Sequence, residues 1–483
     1  MAASQNGKYR SLFEGLLNQG FLFQVLLGIW VGLTSSFFLL VLKQSASLTL
    51  AEFGLVAAGQ ATVALGFSLT ARHMARPAMR VFTIFSLVVA FSGFLYLALR
   101  PEDFYFILII ASVAMGISAA MQGLQNAIPL AQAMRDSAHK KAQANLALIL
   151  TVLPVVSAVT LALSGALAQQ STDMFYAVAA LATLGVGVYI VLSKPELPGK
   201  AVGHHPLKKP ILYLMVLGWI QNISHNILMK LVVPLLIYAY SKSLLLSGSM
   251  LGLVVLLGFF ISNQKAGQRK LAKRVVALFF FCCGAALFLT SMIFSEKFAH
   301  ISYIFLACGG FIYVAAPLLT KLARALHSPE KIVFYGLLGL GLTRLLWGLI
   351  DAGFAPESGE RSIPFLVFIL VITGIHFVFG RLWTLGFMAR LRELEVGKDG
   401  QEHEARKSHL KTYTRWNFTT GIIGGLAVYL MATYFGVEEV ERIAAWLIIA
   451  TSIWVGVFLA LYKVAMHFHQ NKTKEKVAQP RRI

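Results

Sequence analysis

Residues 21–43 read FLFQVLLGIWVGLTSSFFLLVLK, and this stretch decides the fold class because its only charged residue is the last one, Lys43. A helix of 23 residues rises about 34 Å, which is enough to cross the ~30 Å hydrocarbon core of a bilayer. Segments of this length cross a membrane as helices and not as barrel strands. Similar apolar stretches follow at residues 50–70, 80–99, 104–132, 143–168, 173–193, 210–240, 245–263, 275–295, 298–320, 332–351, 363–389, 413–435 and 442–466. We predict an all-α polytopic membrane protein with about 14 transmembrane helices, called spans 1–14 in chain order.

Positive charge alternates along the connections between these spans. The N-terminus, every second connection and the C-terminus together hold 32 of the 42 Lys and Arg residues, whereas the intervening connections hold 6 and the spans hold 4. A missed or extra span would break this alternation. Because cytoplasmic loops carry the excess of Lys and Arg, both termini are expected in the cytoplasm.

The composition excludes several other classes of protein. The mean hydropathy is +0.72, and the net charge of +21 lies mainly in the predicted cytoplasmic loops. This charge is expected to face anionic membrane lipids and does not indicate a nucleic-acid partner. The three cysteines, Cys282, Cys283 and Cys308, lie in apolar spans and form no disulfide or metal-binding pattern. Residues 1–20 lack the features of a removable signal peptide, and the short outer loops favour a bacterial inner membrane.

Two landmarks recur about 190 residues apart and indicate an internal repeat. Gly66-Phe67 in span 2 matches residues 258–259 in span 8, and Pro129-Leu130 in span 4 matches residues 317–318 in span 10. Spans 1–6 and 7–12 would then form two pseudo-symmetric bundles around a central cavity. The predicted organisation is an N-terminus (1–20), a six-helix bundle (21–193), a cytoplasmic linker (194–209), a second six-helix bundle (210–389), a cytoplasmic loop (390–412), a final helix pair (413–466) and a basic cytoplasmic tail (467–483).

The arrangement of six, six and two spans resembles the multidrug/oligosaccharidyl-lipid/polysaccharide (MOP) flippase superfamily. Residues 50–55, LAEFGL, which lead into span 2, are similar to the same region of that superfamily, including its lipid-linked oligosaccharide flippases and its progressive-ankylosis branch of anion exporters. A second resemblance is to the major facilitator superfamily, which also has a basic loop between spans 2 and 3. That loop has an acidic residue after its glycine, which residues 66–72 lack, and the extra spans here lie at the end of the chain.

Polar residues inside the spans are the candidate site, because polar groups are costly at bilayer depth. Span 7 has the densest set, with Asn222, Asn226 and Lys230 spaced four residues apart on one predicted helix face and His225 beside them. They are expected either to line the cavity, with Lys230 contacting an anion, or to bond span 7 to a neighbouring helix. Two arginines are further candidates, namely Arg344 in span 11, for which an ion pair with Asp351 is the alternative, and Arg381 in span 12, which is near enough to the cytoplasmic end to snorkel partly. The last candidates are Gln122, Gln125 and Asn126 in span 4, for which helix packing is the alternative.

The charges inside the spans are cationic, and no predicted span has an acidic residue deep inside it. A cation-coupled drug extruder would need a buried carboxylate, and an enzyme would need acidic, metal-binding or phosphate-cradling groups. We therefore expect no enzyme, no cofactor, and no catalytic or metal site. Interior cations attract anions, and arginine suits phosphate or carboxylate. The sequence predicts a transporter that moves an anionic substrate outward by alternating access, with the membrane potential as the driving force.

The substrate class and two other functions stay open at this point. The anion is expected to be either a lipid-linked oligosaccharide pyrophosphate, which needs a lateral opening between helices, or a soluble organic or phosphate anion, which needs only the cavity. One alternative is a solute transporter of the major facilitator type. The other is a noncatalytic membrane scaffold, although a scaffold has no need for Lys230 in the middle of a span.

Overall fold

The structure is a computed structural model that describes residues 19–99, 101–135, 140–193, 208–262, 328–354, 363–395, 402–434 and 436, together with isolated residues between 281 and 326 and between 446 and 467. The predicted spans 275–295, 298–320 and 442–466 lie mostly outside the described residues. The same holds for the N-terminus, for almost all of the linker 194–209, for the tail 467–483, and for residues 317–318 of the second repeat landmark.

Every regular element in the described ranges is helical. In chain order the helices are α1 (Gln19–Leu33), α2 (Ser36–Ser45), α3 (Leu50–His73), α4 (Arg76–Ala98), α5 (Phe104–Arg135), α6 (Lys140–Gln170), α7 (Thr172–Ser193), α8 (Lys209–Asn226), a π-helical turn (Ile227–Val232), α9 (Val233–Ser241), α10 (Leu244–Ser262), α11 (Pro329–Phe354), α12 (Ile363–Glu395) and α13 (Glu402–Tyr434).

Seven helical segments in the described part of the chain are long and apolar enough to cross a membrane. They are Val25–Ser45, Leu50–Ala71, Pro77–Ala98, Phe104–Met121, Thr172–Leu192, Lys209–Ser241 and Leu366–Leu394. The prediction of an all-α, multi-pass integral membrane protein is confirmed. The number of 14 spans, their arrangement as six, six and two, and the cytoplasmic position of both termini stay predictions.

The helices after span 11 extend further than the apolar stretches. α12 continues to Glu395 and α13 begins at Glu402, so much of the predicted loop 390–412 is helical. Residues 402–412 contain no glycine or proline, whereas Gly397 and Gly400 lie between the two helices. Hydropathy marks the part of a helix that suits lipid, and a polar continuation with good helix formers remains helical beyond it.

The chain packs as two units. Unit 1 comprises Met1–Ala201, Ser241–Leu256 and Gly421–Glu438, and unit 2 comprises Val202–Tyr240, Leu257–Thr420 and Glu439–Ile483. The division predicted from the sequence, with two bundles and a separate final pair, stays a prediction.

Unit 1 is held by close packing of α1 and α2 on other helices. The buried indole of Trp30 donates a hydrogen bond to Thr183 Oγ1 at 2.8 Å, which joins α1 to α7. The ring of Phe38 lies 5.1 Å from that of Phe94 and 5.6 Å from that of Phe175, measured between centroids. A Cβ atom at Gly32 would lie 2.7 Å from Thr160 Cβ, so α1 approaches α6 more closely than any larger residue would allow. Small residues permit this kind of contact between membrane helices.

Unit 2 is built on the packing of α11 against α12. A Cβ atom at Gly336 would lie 2.6 Å from the backbone nitrogen of Trp383, so the two backbones nearly touch there. Around this crossing, α8, α11 and α12 bury a common apolar core that includes Leu214, Leu337, Leu340 and Phe387. The core fixes the three helices that carry most of the polar residues in unit 2.

Candidate functional site

Span 7 is not one continuous α-helix. Between α8 and α9 the residues Ile227–Val232 form the π-helical turn, and the N–H of Val233 bonds to the carbonyl of Leu228, five residues back instead of four. Pro234 favours this irregularity because it has no N–H to bond the carbonyl of Lys230. π-helical turns are rare and occur frequently at functional sites. The turn contains Lys230, the candidate at the centre of the sequence-based prediction.

The side chain of Lys230 is exposed although it lies in the middle of a membrane span. Its neighbours Leu228 and Leu231 are buried. The ammonium group therefore offers a positive charge at a depth where charges are otherwise rare.

Arg344 of α11 is fully buried, with 0% of its surface exposed. Its Nη1 donates a hydrogen bond to the hydroxyl of Ser224 on α8. Its Nε and Nη2 have no hydrogen-bond partner among the described residues. The side chain of Asp351, the alternative partner considered from the sequence, lies outside the described side chains. A buried guanidinium bonded to one neutral hydroxyl is an incompletely compensated charge, because burial of a charge is costly unless the charge is paired.

Two histidines meet beside this arginine. Nδ1 of His225 on α8 lies 3.2 Å from Nε2 of His376 on α12, and the ring planes differ by only 10°. The ring centroids are 5.5 Å apart. This distance exceeds the N···N distance by about the sum of the two ring radii, so both nitrogens lie close to the line that joins the centroids. The rings therefore meet edge to edge in almost one plane, which suits a hydrogen bond between the two nitrogens. The described residues contain no group of three His, Cys, Asp or Glu side chains that could share a metal ion.

The amides of span 7 point to α13. Asn222 Nδ2 donates to the hydroxyl of Tyr413 at 2.8 Å and to Asn417 Oδ1 at 2.6 Å, and Asn226 Nδ2 donates to Thr420 Oγ1. Trp219, one turn before Asn222, adds hydrogen bonds to the carbonyl of Trp416 at 3.1 Å and to Thr419 Oγ1 at 2.8 Å. These contacts form a polar seam between α8 and the first half of α13. Helix packing is therefore the role that the contacts of both asparagines support, and a contact with substrate stays a prediction.

The hydrogen bond between Asn222 and Tyr413 is expected to couple the two residues energetically. In a double-mutant cycle of Asn222→Ala and Tyr413→Phe, the coupling free energy should be about 0.6 kcal/mol and at most ~1.7 kcal/mol, the range for such bonds in membranes. The measurement is the free energy of unfolding in mixed micelles titrated with SDS. Tyr335→Phe, at an exposed tyrosine of α11, is the control and should change nothing. Strictly additive effects of the two substitutions would contradict the seam.

The remaining sequence candidates lie apart from this group. Arg381 is five residues after His376 on α12, which places it about 140° around the helix, and its Nε has no partner among the side chains that the structure describes. Gln122, Gln125 and Asn126 lie on α5 in unit 1, and their side chains are outside the described part. Whether any of these residues contacts a substrate stays a prediction.

Two groups in the cluster were not among the candidates chosen from the sequence, namely Ser224 and His376. His376 is the only histidine of span 12 and shows no pattern by itself, because its partner lies 151 residues earlier. Ser224 is a small polar residue of a kind that is common in helix packing. Only the fold brings them to Arg344 and His225.

Comparisons with known proteins identify the fold. No protein-family model and no curated protein matches the chain. Solved structures do match. A crystal structure of the nucleoside transporter NupG with a single substitution has a TM-score of 0.55 at 10% identity, over 92% of this chain and 99% of that chain. NupG without the substitution gives 0.51 at 10% identity, over 92% and 98%. A bacterial homologue of the human drug peptide transporters gives 0.47 at 12% identity, over 94% and 99%.

The likeness to NupG is one of fold, and it supports the second of the two resemblances noted in the sequence, to the major facilitator superfamily. It does not support the first, to the MOP flippase superfamily. Counting spans could not separate the two resemblances, because both superfamilies contain two bundles of six spans.

Proposed function

We propose that this protein is a solute transporter of the major facilitator type that carries an anionic solute by alternating access. The fold shared with NupG supports membrane transport, and that neighbour is a transporter and not an enzyme. The described helices support the anionic charge of the solute, because their acidic residues all lie at or near helix ends, whereas Lys230 and Arg344 lie deep in their spans. The absence of enzymatic activity stays a prediction.

Buried Arg344 is the single observation that carries this proposal. Its Nε and Nη2 form the edge of the guanidinium that binds a carboxylate or phosphate through two parallel hydrogen bonds. Both atoms lack a partner among the described residues, so an anion there would satisfy two buried donors and the charge at once. In the present conformation the guanidinium is inaccessible. We propose that the accessible Lys230 meets the anion first and that Arg344 binds it after the cavity rearranges.

The proposed substrate is a soluble organic or phosphate anion and not a lipid-linked oligosaccharide. A flippase needs a lateral opening for its lipid, and the fold comparison gives that superfamily no support. NupG transports nucleosides, as its name says, so a nucleoside carrying a negative group is one substrate to test. Outward movement driven by the membrane potential, worth about 2.3 kcal/mol per charge per 100 mV, remains part of the proposal.

A matched ligand panel tests the proposal. The purified full-length protein in detergent would be screened by thermal shift against inorganic phosphate, sulfate, oxalate, adenosine, adenosine 5′-monophosphate and the cation tetraphenylphosphonium. We expect one or more anions to raise Tm, and adenosine and the cation to have no effect. The pair of adenosine and its monophosphate isolates the contribution of the charge. A response to adenosine or to the cation alone would contradict an anionic substrate, and no response to any solute would favour the scaffold.

Uptake and efflux in proteoliposomes would then give the direction of transport. For each anion that raises Tm, the flux is measured with an imposed potential of either sign. Net movement of the anion away from the negative side is expected. A flux that does not depend on the potential would contradict a simple charge-driven mechanism.

A further inference from the structure

The edge-to-edge contact of His225 and His376 has the geometry of a shared proton. At 3.2 Å between nitrogens, one ring must donate an N–H and the other must accept it, because two bare lone pairs or two N–H groups would repel each other. When His376 Nε2–H donates to His225 Nδ1, Nδ1 of His376 carries a lone pair. That atom is buried and has no partner among the residues described. In this tautomer it is a vacant position for a second proton.

A proton at this position would give a hydrogen-bonded imidazolium–imidazole pair. The proton bonds to the lone pair of His376 Nδ1, Nε2–H of the same ring stays bonded to His225, and the pair gains one positive charge. Hydrogen bonds with an ionised donor are stronger than neutral ones, and histidine is the side chain that titrates nearest to neutral pH. The geometry therefore allows one proton to bind reversibly at mid-span.

The charged groups that act on the pair are Arg344 from α11 and Lys230 from the π-helical turn, and both are cations. Burial of the two rings is the larger obstacle to the extra proton, and these two cations add to it as long as the site is empty. No carboxylate lies at this depth on the described helices that pack against the pair. The other ionisable groups on these helices are nearer the helix ends, point to the polar seam or lie on another helix face, for example Lys209, Glu330, Asp351, Arg381, Arg390 and Tyr413.

An anion on Arg344 would remove the part of this opposition that comes from the guanidinium. It would neutralise the guanidinium field and place negative charge beside the imidazoles, so that the extra proton becomes favourable. By thermodynamic reciprocity, a proton on the pair must then strengthen anion binding by the same factor.

We propose that the His225–His376 pair is a proton-binding site that is loaded together with the anion, so that one proton accompanies each substrate. This inference rests on the proposed function of the same cluster. In this protein the imidazole pair would take the place of a buried carboxylate, which no predicted span contains. A dianion carried with one proton keeps one net negative charge and still responds to the membrane potential, whereas a monoanion becomes electroneutral and responds only to concentration and pH gradients. An acidic exterior would then oppose the outward movement of the anion.

The test measures anion affinity against pH, with sulfate and oxalate as probes. Both keep two negative charges from about pH 6 to 8.5, so any proton taken up during binding is bound by the protein. The anion-bound state binds the additional proton, so affinity is highest at low pH and is lost as pH rises. We expect the affinity of the better probe to fall about tenfold per pH unit above the midpoint of the pair. Calorimetry of wild-type protein in two buffers with different ionisation enthalpies should give about one proton taken up per anion.

The variant His376→Gln removes the protonated position and should bind the anion with an affinity that no longer depends on pH. His73→Gln, at an exposed histidine of α3, is the matched control and should behave as wild type. If His376→Gln does not fold, the number of protons that wild-type protein takes up per bound anion, measured by calorimetry, tests the proton site by itself. Binding without proton uptake, or pH dependence that persists in His376→Gln, overturns the proton site and leaves the anion site standing. If neither probe binds at any pH, this inference fails, and the proposed function fails with it only if phosphate and adenosine 5′-monophosphate do not bind either.

Discussion

Replacing Arg344 with glutamine is expected to abolish anion binding while making the empty protein more stable. Glutamine can still bond to Ser224, but it removes the buried charge and the two donors that lack a partner in the described residues. Loss of a buried, hydrogen-bonded charge contact costs 2 kcal/mol or more, which corresponds to a loss of affinity of about 30-fold or greater. Removal of the uncompensated charge should raise the free energy of unfolding of the empty protein by about 1 kcal/mol or more.

Two measurements on the Arg344→Gln variant separate substrate binding from a structural ion pair. Tm without ligand should rise, and the anion-induced shift in Tm should vanish. Arg344→Lys keeps the charge but loses the planar edge of the guanidinium. Its affinity for the anion should therefore lie between that of wild type and that of Arg344→Gln. If Arg344 is instead paired with Asp351, then Arg344→Gln and Asp351→Asn would both lower Tm of the empty protein, and neither would change anion affinity. That pattern would contradict the proposed site.

Replacing Lys230 with methionine is expected to reduce transport of the anion at least about tenfold, equivalent to 1.4 kcal/mol at the limiting step. Methionine has a similar length and is better tolerated at bilayer depth than lysine, so the variant should insert and remain folded. The accessible ammonium group is the first charge that an arriving anion would meet, and its loss removes that attraction. The measurement is the initial rate of anion flux into proteoliposomes, normalised to the amount of inserted protein.

Lys230→Arg and Lys208→Met provide the controls for this experiment. The first keeps the positive charge in the π-helical turn and should restore most of the flux. The second makes the same chemical change at an exposed lysine just before α8 and should leave the flux unchanged. Equal flux for Lys230→Met and wild type would show that the lysine has no role in transport.

The helices could be predicted from the sequence, because an apolar stretch of sufficient length has few other stable structures in a membrane. Each predicted span in the described ranges coincides with helical structure, including span 1, which is α1 and α2 separated by the capping residue Ser35. The packing of the helices into a NupG-like fold could not be predicted, because different folds share the same span count. The His225–His376 contact was also beyond reach, because it depends on how α8 packs against α12.

The stripe predicted on span 7 shows a more specific reason for an error. Asn222, Asn226 and Lys230 share a face only if 3.6 residues form each turn throughout. The π-helical turn has i→i+5 bonds and roughly 4.4 residues per turn, so it moves Lys230 off the face of the asparagines. The two amides bond to α13, and the lysine is accessible. The three residues that share one face in the predicted helix therefore lie on two different faces in the structure.

The polar seam between α8 and α13 limits how far the chain can be regarded as modular. A chain that stopped after α12 would keep two sets of six predicted spans but would leave an indole and two amides of α8 without their acceptors at bilayer depth. Each such group costs several kcal/mol in hydrocarbon when no acceptor replaces the lost one. We therefore expect a chain without α13 to be less stable, because α13 supplies these acceptors to α8 and is more than an accessory extension.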